Sequence, residues 1–519
     1  MKKIVKAQPN LLLKNLNSEQ LKAVKHTEGA LLVLAGAGTG KTRVITYRIA
    51  HLLEKGVAPE NILAVTFTTK AAEEMRIRVE NLVPGKGKLV WISTFHSFGA
   101  RFLRMETKKL GLYPYFVIYD EIDQKDLLKE CIRELNLEEK KYRPGLFAEI
   151  INRAKDDLID YESYAILSVA TNDSFRQIAA LVYQKYQKKL LLANALDFGD
   201  LIMRTVFALR DIPALREKYQ EQFHYLLIDE YQDTNRGQYV LTKYLAGKYK
   251  NICVVGDDDQ AIYSWRGANI RNLLEFEKDY PDTKVIKLER NYRSTPEILD
   301  SAWRVVKNNR YRKEKKLWTK RIHGRPVIYE ELSDEIEEAK YVVSEILSLR
   351  NMPKSTYSFT DMAIFYRMNA QSRVFEDYLR KEKIPYKIVG TVRFYERTEI
   401  KDTLAYLKLI YNPSDTLSLK RIINSPHRGI GKTTLAKIEK YALENNLSLF
   451  ETLERIEKVP SLSPKTVSTV KEFISLIEDF IKDKDKLSVQ ELTKLILDKT
   501  GYIRELELED TIMERIRIE

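Results

Sequence analysis

The sequence has few cysteines and no long apolar run, and both shortages restrict its class. Cys131 and Cys253 are its two cysteines, and they lie far apart in the chain. This spacing argues against a disulfide framework or a zinc site and is typical of a reducing cytoplasm. No stretch reaches the roughly 20 apolar residues that a membrane helix needs. The first ten residues lack the apolar region of a signal peptide. We therefore expect a cytoplasmic protein with no membrane partner.

Length and charge indicate several globular domains and an anionic partner. The 519 residues exceed what one hydrophobic core organises, and they predict about two to four domains. Hydrophobic residues make up 44% and charged residues 31% of the chain, as in globular proteins. The net charge of +13 favours a polyanion, and nucleic acid is the leading candidate.

Residues 30–42 predict a phosphate-binding loop between a strand and a helix. Apolar residues 30–34 are followed by glycines, then by Lys41 and Thr42, and a helical pattern begins at Arg43. Glycine lets the backbone approach an anion, and the loop N–H groups then point at the phosphates. Lys41 would reach the β- and γ-phosphates, and Thr42 would ligate Mg²⁺. The alternative is a chance glycine-rich turn before a structural helix. The predicted loop residues are Ala35, Gly36, Ala37, Gly38, Thr39, Gly40, Lys41 and Thr42.

Further apolar runs predict a doubly wound α/β fold with a helical insertion. Short runs without polar alternation are typical of parallel strands that are covered on both faces. They lie at 62–67, 89–93, 225–230, 252–256 and 284–288. The gap from about 110 to 195 is too long for a simple connection and has helical spacing. Asp361–Arg367 indicates a strand of a second α/β domain.

A basic stretch follows Pro296 and has two interpretations. It is either a solvated face or a binding surface, and the overall charge does not decide between them. Its cationic residues are Arg304, Lys307, Arg310, Arg312, Lys313, Lys315, Lys316, Lys320, Arg321 and Arg325.

Asp229 and Glu230 end the apolar strand at 226–228. Successive residues at a strand end point in different directions. Asp229 can therefore hold a metal ion while Glu230 polarises the attacking water. The alternative is an acidic edge at a turn, which the phosphate loop at 35–42 disfavours.

Aromatic and cationic side chains close to Gln260 indicate a platform for unstacked bases. Gln260 is a candidate sensor of the γ-phosphate, and Tyr263, Trp265 and Arg266 follow within six residues. Aromatic rings stack on bases regardless of sequence. Two other strand ends, with Phe67, Thr68 and His96, carry hydroxyls and aromatics that suit the same role. The alternatives are a core position for Trp265 and a structural role for His96.

In combination, these motifs resemble those of superfamily 1 DNA helicases of the UvrD/PcrA/Rep type. The most specific are Gln-Asp-Thr-Asn after 229–231 and Gly-Asp-Asp-Asp-Gln-Ala-Ile-Tyr-Ser-Trp-Arg-Gly-Ala at 256–268. The six matching stretches are Leu16–Val24, Ala35–Thr42, Ala64–Met75, Leu226–Asn235, Val254–Ala268 and Leu288–Ser294. Further matches at 384–395, 400–402 and 424–431 extend the resemblance over nearly the whole chain.

The resemblance implies roles for individual residues. Gln20 would read adenine, Tyr292 would stack on it, and Arg43 would lie near the nucleotide. Arg293 would reach the γ-phosphate. The single-stranded DNA path would be lined by Phe67, Thr68, His96, Tyr263, Trp265 and Arg266, and continued by Arg367, Asn369 and Arg373. Gly429 and Gly431 would offer backbone N–H groups to duplex phosphates. The Gly-Lys-Thr at 431–433 follows no strand and is not expected to bind a second nucleotide.

The implied fold is a pair of RecA-like doubly wound parallel sheets with helical inserted subdomains. We expect a first motor domain at 1–110 and 192–285, with an inserted helical subdomain at 111–191. The first part of a second motor domain would lie at 286–392, and an incomplete helical subdomain at 393–519. The family's last motifs are not found, one of which supplies an arginine worth about 10³–10⁵ in rate. This predicts poor ATP hydrolysis by these 519 residues.

The implied activity is ATP-dependent 3′→5′ DNA unwinding in repair or replication, with ATP and Mg²⁺ as cofactors. Its partners would be single-stranded DNA, single/double-strand junctions and accessory repair or replication proteins. One alternative is an ATP-responsive DNA-binding module without unwinding activity. Another is a phosphate-loop kinase, which the Asp-Glu pair, Gln260 and the aromatic residues disfavour.

Overall fold

A computed structural model of the chain describes residues 12–171, 173–353, 356–389, 397–445 and 447–508. The strands are β1 (Leu31–Ala35), β2 (Ile62–Thr66), β3 (Trp91–Thr94), β4 (Val117–Tyr119), β5 (Ala195–Asp197), β6 (Tyr225–Ile228), β7 (Ile252–Gly256), β8 (Lys284–Leu288), β9 (Arg290–Asn291) and β10 (Trp318–Thr319).

The α-helices alternate with these strands in the first part of the chain and dominate the rest. Up to residue 306 they are α1 (Ser18–Lys25), α2 (Lys41–Glu54), α3 (Thr69–Leu82), α4 (Phe95–Met105), α5 (Thr107–Leu110), α6 (Glu121–Glu134), α7 (Pro144–Asp156), α8 (Tyr161–Ala170), α9 (Ser174–Leu192), α10 (Phe198–Asp211), α11 (Pro213–Gln222), α12 (Arg236–Ala246), α13 (Arg271–Leu274), α14 (Phe276–Asp279) and α15 (Pro296–Val306). They continue with α16 (Glu335–Asn351), α17 (Ser372–Lys381), α18 (Thr398–Tyr411), α19 (Thr416–Ile422), α20 (Lys432–Glu444), α21 (Leu449–Glu454), α22 (Pro464–Asp483), α23 (Val489–Thr500) and α24 (Tyr502–Leu508). None of the described helices is long and apolar enough to cross a membrane.

Six parallel strands form the main sheet in the order β3-β2-β6-β7-β1-β8. Alternate residues of each strand enter two separate cores, as the twofold period of a strand requires. Leu32, Leu63 and Val254 lie in one core. Leu31 and Ala64 lie in the other. Because helices cover both faces, the strands are mostly apolar, except that the edge strand β8 carries the exposed Lys284 and Lys287. The predicted α/β fold is confirmed, and all six carboxyl ends meet at one edge of the sheet.

Residues 111–192 are mostly helical, as predicted, and the sequence did not indicate that short strands before and after helices α6–α9 pair with each other. The short strand β4 pairs in parallel with β5, which lies about 80 residues later. The helices α6, α7 and α9 pack around a core that includes Leu128, Phe147 and Tyr186. Lys155 is fully buried beside this core, with Nζ 2.7 Å from an Asp197 oxygen and 3.0 Å from Asp200.

The described chain divides into two compact units. The described residues of the first unit lie within 1–326, 411–417 and 437–459, and those of the second lie within 327–410, 418–436 and 460–519. In the second unit, Val343, Leu379 and Ile384 form a small core between α16 and α17.

The strand predicted at Asp361–Arg367 is wrong. Among the described residues of this unit, 362–366 pair with no strand, and Phe365 is 93% exposed. An extended segment becomes a strand only through a hydrogen-bonded neighbour, and an apolar run does not reveal whether one is present. The part of the predicted motif at 390–395 lies outside the described residues.

Candidate functional site

The phosphate loop runs from the end of β1 to the start of α2, as predicted. Gly38 and Gly40 have φ angles of 69° and 92°, which favour glycine. A Cβ atom at Gly38 would lie 2.6 Å from the Asn291 amide nitrogen, and one at Gly40 would lie 2.8 Å from the Gln20 amide nitrogen. Thr39 Oγ1 donates to the Gly36 carbonyl at 2.7 Å and closes the loop. The two glycines are therefore required by both conformation and space.

Asn291 holds the loop from the opposite side, and sequence reasoning missed this residue. Its amide nitrogen donates to the Ala37 carbonyl at 2.6 Å. Its amide oxygen accepts from the backbone N–H groups of Arg293 at 2.8 Å and Ser294 at 2.7 Å. The Tyr292 N–H donates to the Gly38 carbonyl at 2.9 Å. The segment 291–294 is thus fastened directly to the phosphate loop.

Gln20 and Tyr292, the predicted base-binding pair, lie beside the same loop. The Gln20 amide nitrogen donates to the Thr39 carbonyl at 2.9 Å, and its oxygen accepts from the Asn17 N–H at 3.1 Å. Asn17 caps α1 and donates to the Tyr292 hydroxyl at 2.8 Å. The amide of Gln20 therefore supports the loop, while the Tyr292 ring is 44% exposed beside it.

Two arginines flank the loop. The Arg43 guanidinium lies 5.3 Å from the centre of the Tyr47 ring on α2. Arg293 is exposed, and its carbonyl accepts from the Arg321 side chain. A Cβ atom at Gly38 would lie 2.7 Å from the Cβ of Arg293, and one at Gly40 would lie 3.6 Å from the Cβ of Arg43.

Asp229 and Glu230 meet Lys41 and Thr42 at the end of β6. Glu230 has a φ of 51°, in the left-handed region that residues other than glycine rarely adopt. The Lys41 ammonium donates to a Glu230 carboxylate oxygen at 2.7 Å. Burial and the neighbouring Glu230 raise the pKa of Asp229 to about 7, although Lys41 and a hydrogen bond with Thr42 oppose the rise.

The paired oxygen donors of Thr42 and Asp229 fit a hard divalent cation. Mg²⁺ is held through carboxylates, hydroxyls and substrate phosphates. A cation beside Asp229 would also offset the repulsion by Glu230 that raises the Asp229 pKa. The residues present therefore suit the metal that the sequence predicted.

Gln232, which sequence reasoning also missed, connects Glu230 to the loop that carries Gln260. Its amide nitrogen donates to Glu230 at 2.8 Å, and its oxygen accepts from the Asp257 N–H at 3.0 Å. Asp257 in turn accepts from the Gln260 side chain. Asp233 lies close by, and burial and Glu230 raise its pKa to about 6. The predicted water-activating carboxylate and the predicted sensor thus share one hydrogen-bond chain.

The aromatic residues after Gln260 form an open platform. Tyr263 stacks on Phe67 with ring centres 5.1 Å apart, and Trp265 lies 6.4 Å from Tyr263. The Arg266 guanidinium lies 4.7 Å from the Trp265 ring, which is 68% exposed. The alternative of a core position for Trp265 is therefore wrong. Flat exposed rings beside a cation suit bases that have left the duplex.

His96 and Thr68 lie at the ends of β3 and β2. The His96 ring meets Phe198 edge-on with centres 5.7 Å apart, and burial lowers the His96 pKa to about 4. Phe198 is 49% exposed. The sequence did not indicate it as a site residue, because an isolated phenylalanine forms no recognisable pattern. Thr68 is exposed and caps α3 through a bond from the Ala71 N–H.

In the second unit, the three residues predicted to continue the DNA path are exposed. Arg367 and Asn369 lie just before α17, and Arg373 lies in its first turn. The Arg367 N–H donates to the Gln371 side chain at 3.0 Å, which orders this corner.

The glycine hairpin at 424–431 is held by side chains from within the same unit. Asn424 accepts from the backbone N–H groups of Arg428 at 2.9 Å and Ile430 at 3.0 Å. Gly429 has a φ of 75°, and open space surrounds both it and Gly431. Because helices and not strands precede this Gly-Lys-Thr within 397–445, it lacks the context of a phosphate loop.

Comparison with known proteins places these features in a family. Residues 16–281 match the UvrD/REP helicase N-terminal domain, and residues 286–517 match the UvrD-like helicase C-terminal domain. The chain is 47% identical over 511 residues to an ATP-dependent DNA helicase PcrA of Staphylococcus epidermidis. It is 46% identical to the same-named protein of Staphylococcus aureus. Both alignments cover 98% of this chain and 69% of the relative.

These matches correct one expectation. The sequence predicted a chain that lacks the last family motifs and therefore hydrolyses ATP poorly. Models of both the N-terminal and the C-terminal domain match the chain, and the expected loss of activity is not supported. With 47% identity over 98% of its residues, the chain belongs to the UvrD/Rep family of helicases.

Proposed function

We propose that this protein is an ATP-dependent DNA helicase that moves 3′→5′ along single-stranded DNA. One observation carries the proposal. The loop 257–266 begins with Asp257, which accepts a hydrogen bond from the Gln260 side chain, and it ends with the exposed Trp265 and Arg266. A conformational change at the nucleotide can therefore be transmitted to the DNA-binding residues through a few residues of main chain. The names of the relatives, ATP-dependent DNA helicase PcrA, support the same activity.

In the nucleotide site, this chain's own groups supply binding and water activation. Lys41 and the loop N–H groups of 36–40 hold the β- and γ-phosphates. Thr42 and Asp229 hold Mg²⁺, which when bound neutralises charge on the phosphate oxygens. Glu230 orients and polarises the attacking water, and Gln260 and Arg293 contact the γ-phosphate. Gln20 and Tyr292 contact the base, and Arg43 lies near the nucleotide. The support is the clustering of Lys41, Glu230 and Asp229 described above.

On the DNA side, we propose that bases stack on the aromatic platform while hydroxyls contact phosphates. The residues in this role are Phe67, Thr68, His96, Phe198, Tyr263, Trp265 and Arg266. Arg367, Asn369 and Arg373 bind the strand in the second unit, and Gly429 and Gly431 contact the duplex at a junction. The exposure of Phe198, Trp265 and the arginines supports these roles, whereas Phe67, His96 and Tyr263 are partly buried beside them.

We assign the domains accordingly. The first RecA-like motor domain comprises 1–110 and 192–288, and 111–191 is its helical insertion. The sequence predicted a second motor domain at 286–392, but β8 (Lys284–Leu288) pairs with β1 in the main sheet, so we begin the second motor domain after residue 288. Residues 393–519 form a second helical subdomain. We place the protein in the cytoplasm, where accessory repair or replication proteins are its further partners.

A strand-displacement experiment tests the proposal. The substrates are a duplex with a 3′ single-stranded tail and the same duplex with a 5′ tail, each with ATP and Mg²⁺. We expect unwinding of the 3′-tailed duplex only, and none by the Lys41→Ala variant. Equal unwinding of both substrates would refute the polarity. DNA binding without any displacement would refute the helicase and leave an ATP-responsive binding module.

A further inference from the structure

Two cations of the basic stretch at 304–325 point inward, away from any partner. Lys315 is only 4% exposed. Its ammonium lies 2.9 Å from an Asp257 oxygen and 2.8 Å from an Asp259 oxygen, and it also contacts Asp258. Arg312 bonds Asp259 through two nitrogens, at 3.1 Å and 2.9 Å. At these two positions the basic stretch is neither a solvated face nor a binding surface, because both side chains form internal ion pairs.

The ammonium of Lys315 is the internal counter-ion of three consecutive carboxylates. Ligand oxygens of Asp257, Asp258 and Asp259 lie within 4.8 Å of one another, close enough to hold a metal ion. Buried carboxylates without a cation are strongly unfavourable. Burial lowers the pKa of Lys315, but Asp257 and its neighbours raise it by more, so the side chain stays charged. Lys315 and Arg312 together therefore offset two of the three negative charges from within the chain.

Asp257 connects this ion cluster to the residues proposed for ATP hydrolysis. One of its oxygens faces Lys315, and the other accepts from the Gln260 side chain. Its N–H donates to Gln232, which also bonds Glu230 at 2.8 Å. Without Lys315, the three carboxylates would repel one another, and Asp257 would move from the place where it holds Gln260.

We propose that Lys315 is a positioning residue for ATP hydrolysis, which acts through Asp257 to fix the side chain of Gln260. The inference rests on the proposed function, because it needs Gln260 to contact the γ-phosphate. It adds a residue outside the nucleotide-binding loops to the hydrolytic apparatus. Lys315 itself would contact neither the nucleotide nor the metal.

A double-mutant cycle tests the inference. Steady-state ATP hydrolysis in the presence of single-stranded DNA is measured for the wild type, Lys315→Met, Gln260→Ala and the double variant. We expect Lys315→Met to lower kcat about tenfold, or about 1.4 kcal/mol of activation free energy, with KM nearly unchanged. In the Gln260→Ala background, the same change should cost less than about twofold, because residues that act through one another are not additive.

Lys316→Met is the matched control, since this neighbouring lysine is exposed and undergoes the same change of charge and shape. It should retain the wild-type kcat. If Lys315→Met does not fold, as judged by circular dichroism, the variant that combines Lys315→Met with Asp258→Asn removes one unpaired carboxylate. It should fold and still have a low kcat, because the contact with Asp257 is still missing.

Three results would overturn the inference: an unchanged kcat for Lys315→Met, full additivity with Gln260→Ala, or an equal loss in Lys316→Met. Each of these leaves the proposed function intact, because the wild type would still hydrolyse ATP. A wild type without DNA-stimulated hydrolysis would overturn both the proposed function and the inference.

Discussion

Replacing Asn291 with alanine should loosen the phosphate loop. The side chain makes three hydrogen bonds to main-chain groups, of 2.6 Å, 2.8 Å and 2.7 Å. A net contribution of about 1 kcal/mol for each bond predicts a total loss of about 3 kcal/mol. Because the surroundings are partly buried and water can replace some of these bonds, we expect about 2 kcal/mol of lost unfolding free energy.

The Asn291→Ala variant should also bind ATP more weakly. The bond from the Tyr292 N–H to Gly38 remains, so the loop is loosened and not released. If the loop adopts its binding conformation only about one-tenth of the time, the apparent Kd rises about tenfold. Urea unfolding and titration with a fluorescent ATP analogue measure the two effects.

Asn308→Ala is the control for this change. Asn308 is exposed, and its amide bonds only carbonyls near the end of its own helix, those of Arg304 and Val305. Its unfolding free energy should change by less than about 0.5 kcal/mol, with unaltered ATP affinity. If Asn291→Ala behaves like Asn308→Ala in both assays, the proposed fastening of the loop is refuted.

Three further predictions concern bases, protons and duplex DNA. Trp265→Ala should weaken single-stranded DNA binding by about 1–3 kcal/mol in fluorescence anisotropy, and an unchanged affinity would exclude stacking on this ring. The pKa of the Asp229 carboxyl is about 7 in the folded protein, against an ordinary value of 3.8. Its contribution to the stability of the fold is therefore fully present below about pH 4 and is lost as the pH rises through 7. Asp229→Asn should therefore stabilise the Mg²⁺-free protein against urea more at pH 8 than at pH 5.5, whereas a constant difference would contradict the raised pKa. Asn424→Ala should weaken binding to blunt duplex DNA but not to single strands, because the hairpin 424–431 loses the two hydrogen bonds that fix its backbone. The control Asn445→Ala, at an exposed position, should change neither affinity. Equal losses for duplex and single-stranded DNA would refute a specific role in duplex contact.

The sequence predicted the strands of the main sheet and the position of the phosphate loop well, because both are encoded in short, local sequence patterns. Buried parallel strands are apolar throughout, and β1, β2 and β7 are buried along their whole length. The loop follows a strand and precedes a helix, so its chemistry could be read from adjacent residues. Lys41 and Asp229 were predicted as site residues for the same reason.

Residues that act across long separations could not be predicted. Asn291 and Ala37 are 254 residues apart in the sequence, and no local pattern shows that they meet. Lys315 and Lys316 are identical neighbours, yet one is buried against carboxylates and the other is exposed. The wrong strand at 361–367 has the same cause, since pairing depends on a partner that the segment does not contain.

The most direct test of the account is the rate of ATP hydrolysis with and without a single-stranded oligonucleotide. Because the proposed nucleotide site and the aromatic platform share the loop 257–266, we expect strong stimulation by DNA. That stimulation should be largely lost in Trp265→Ala, which leaves the phosphate loop intact. A hydrolysis rate that is the same with and without DNA would contradict the coupling of the two sites.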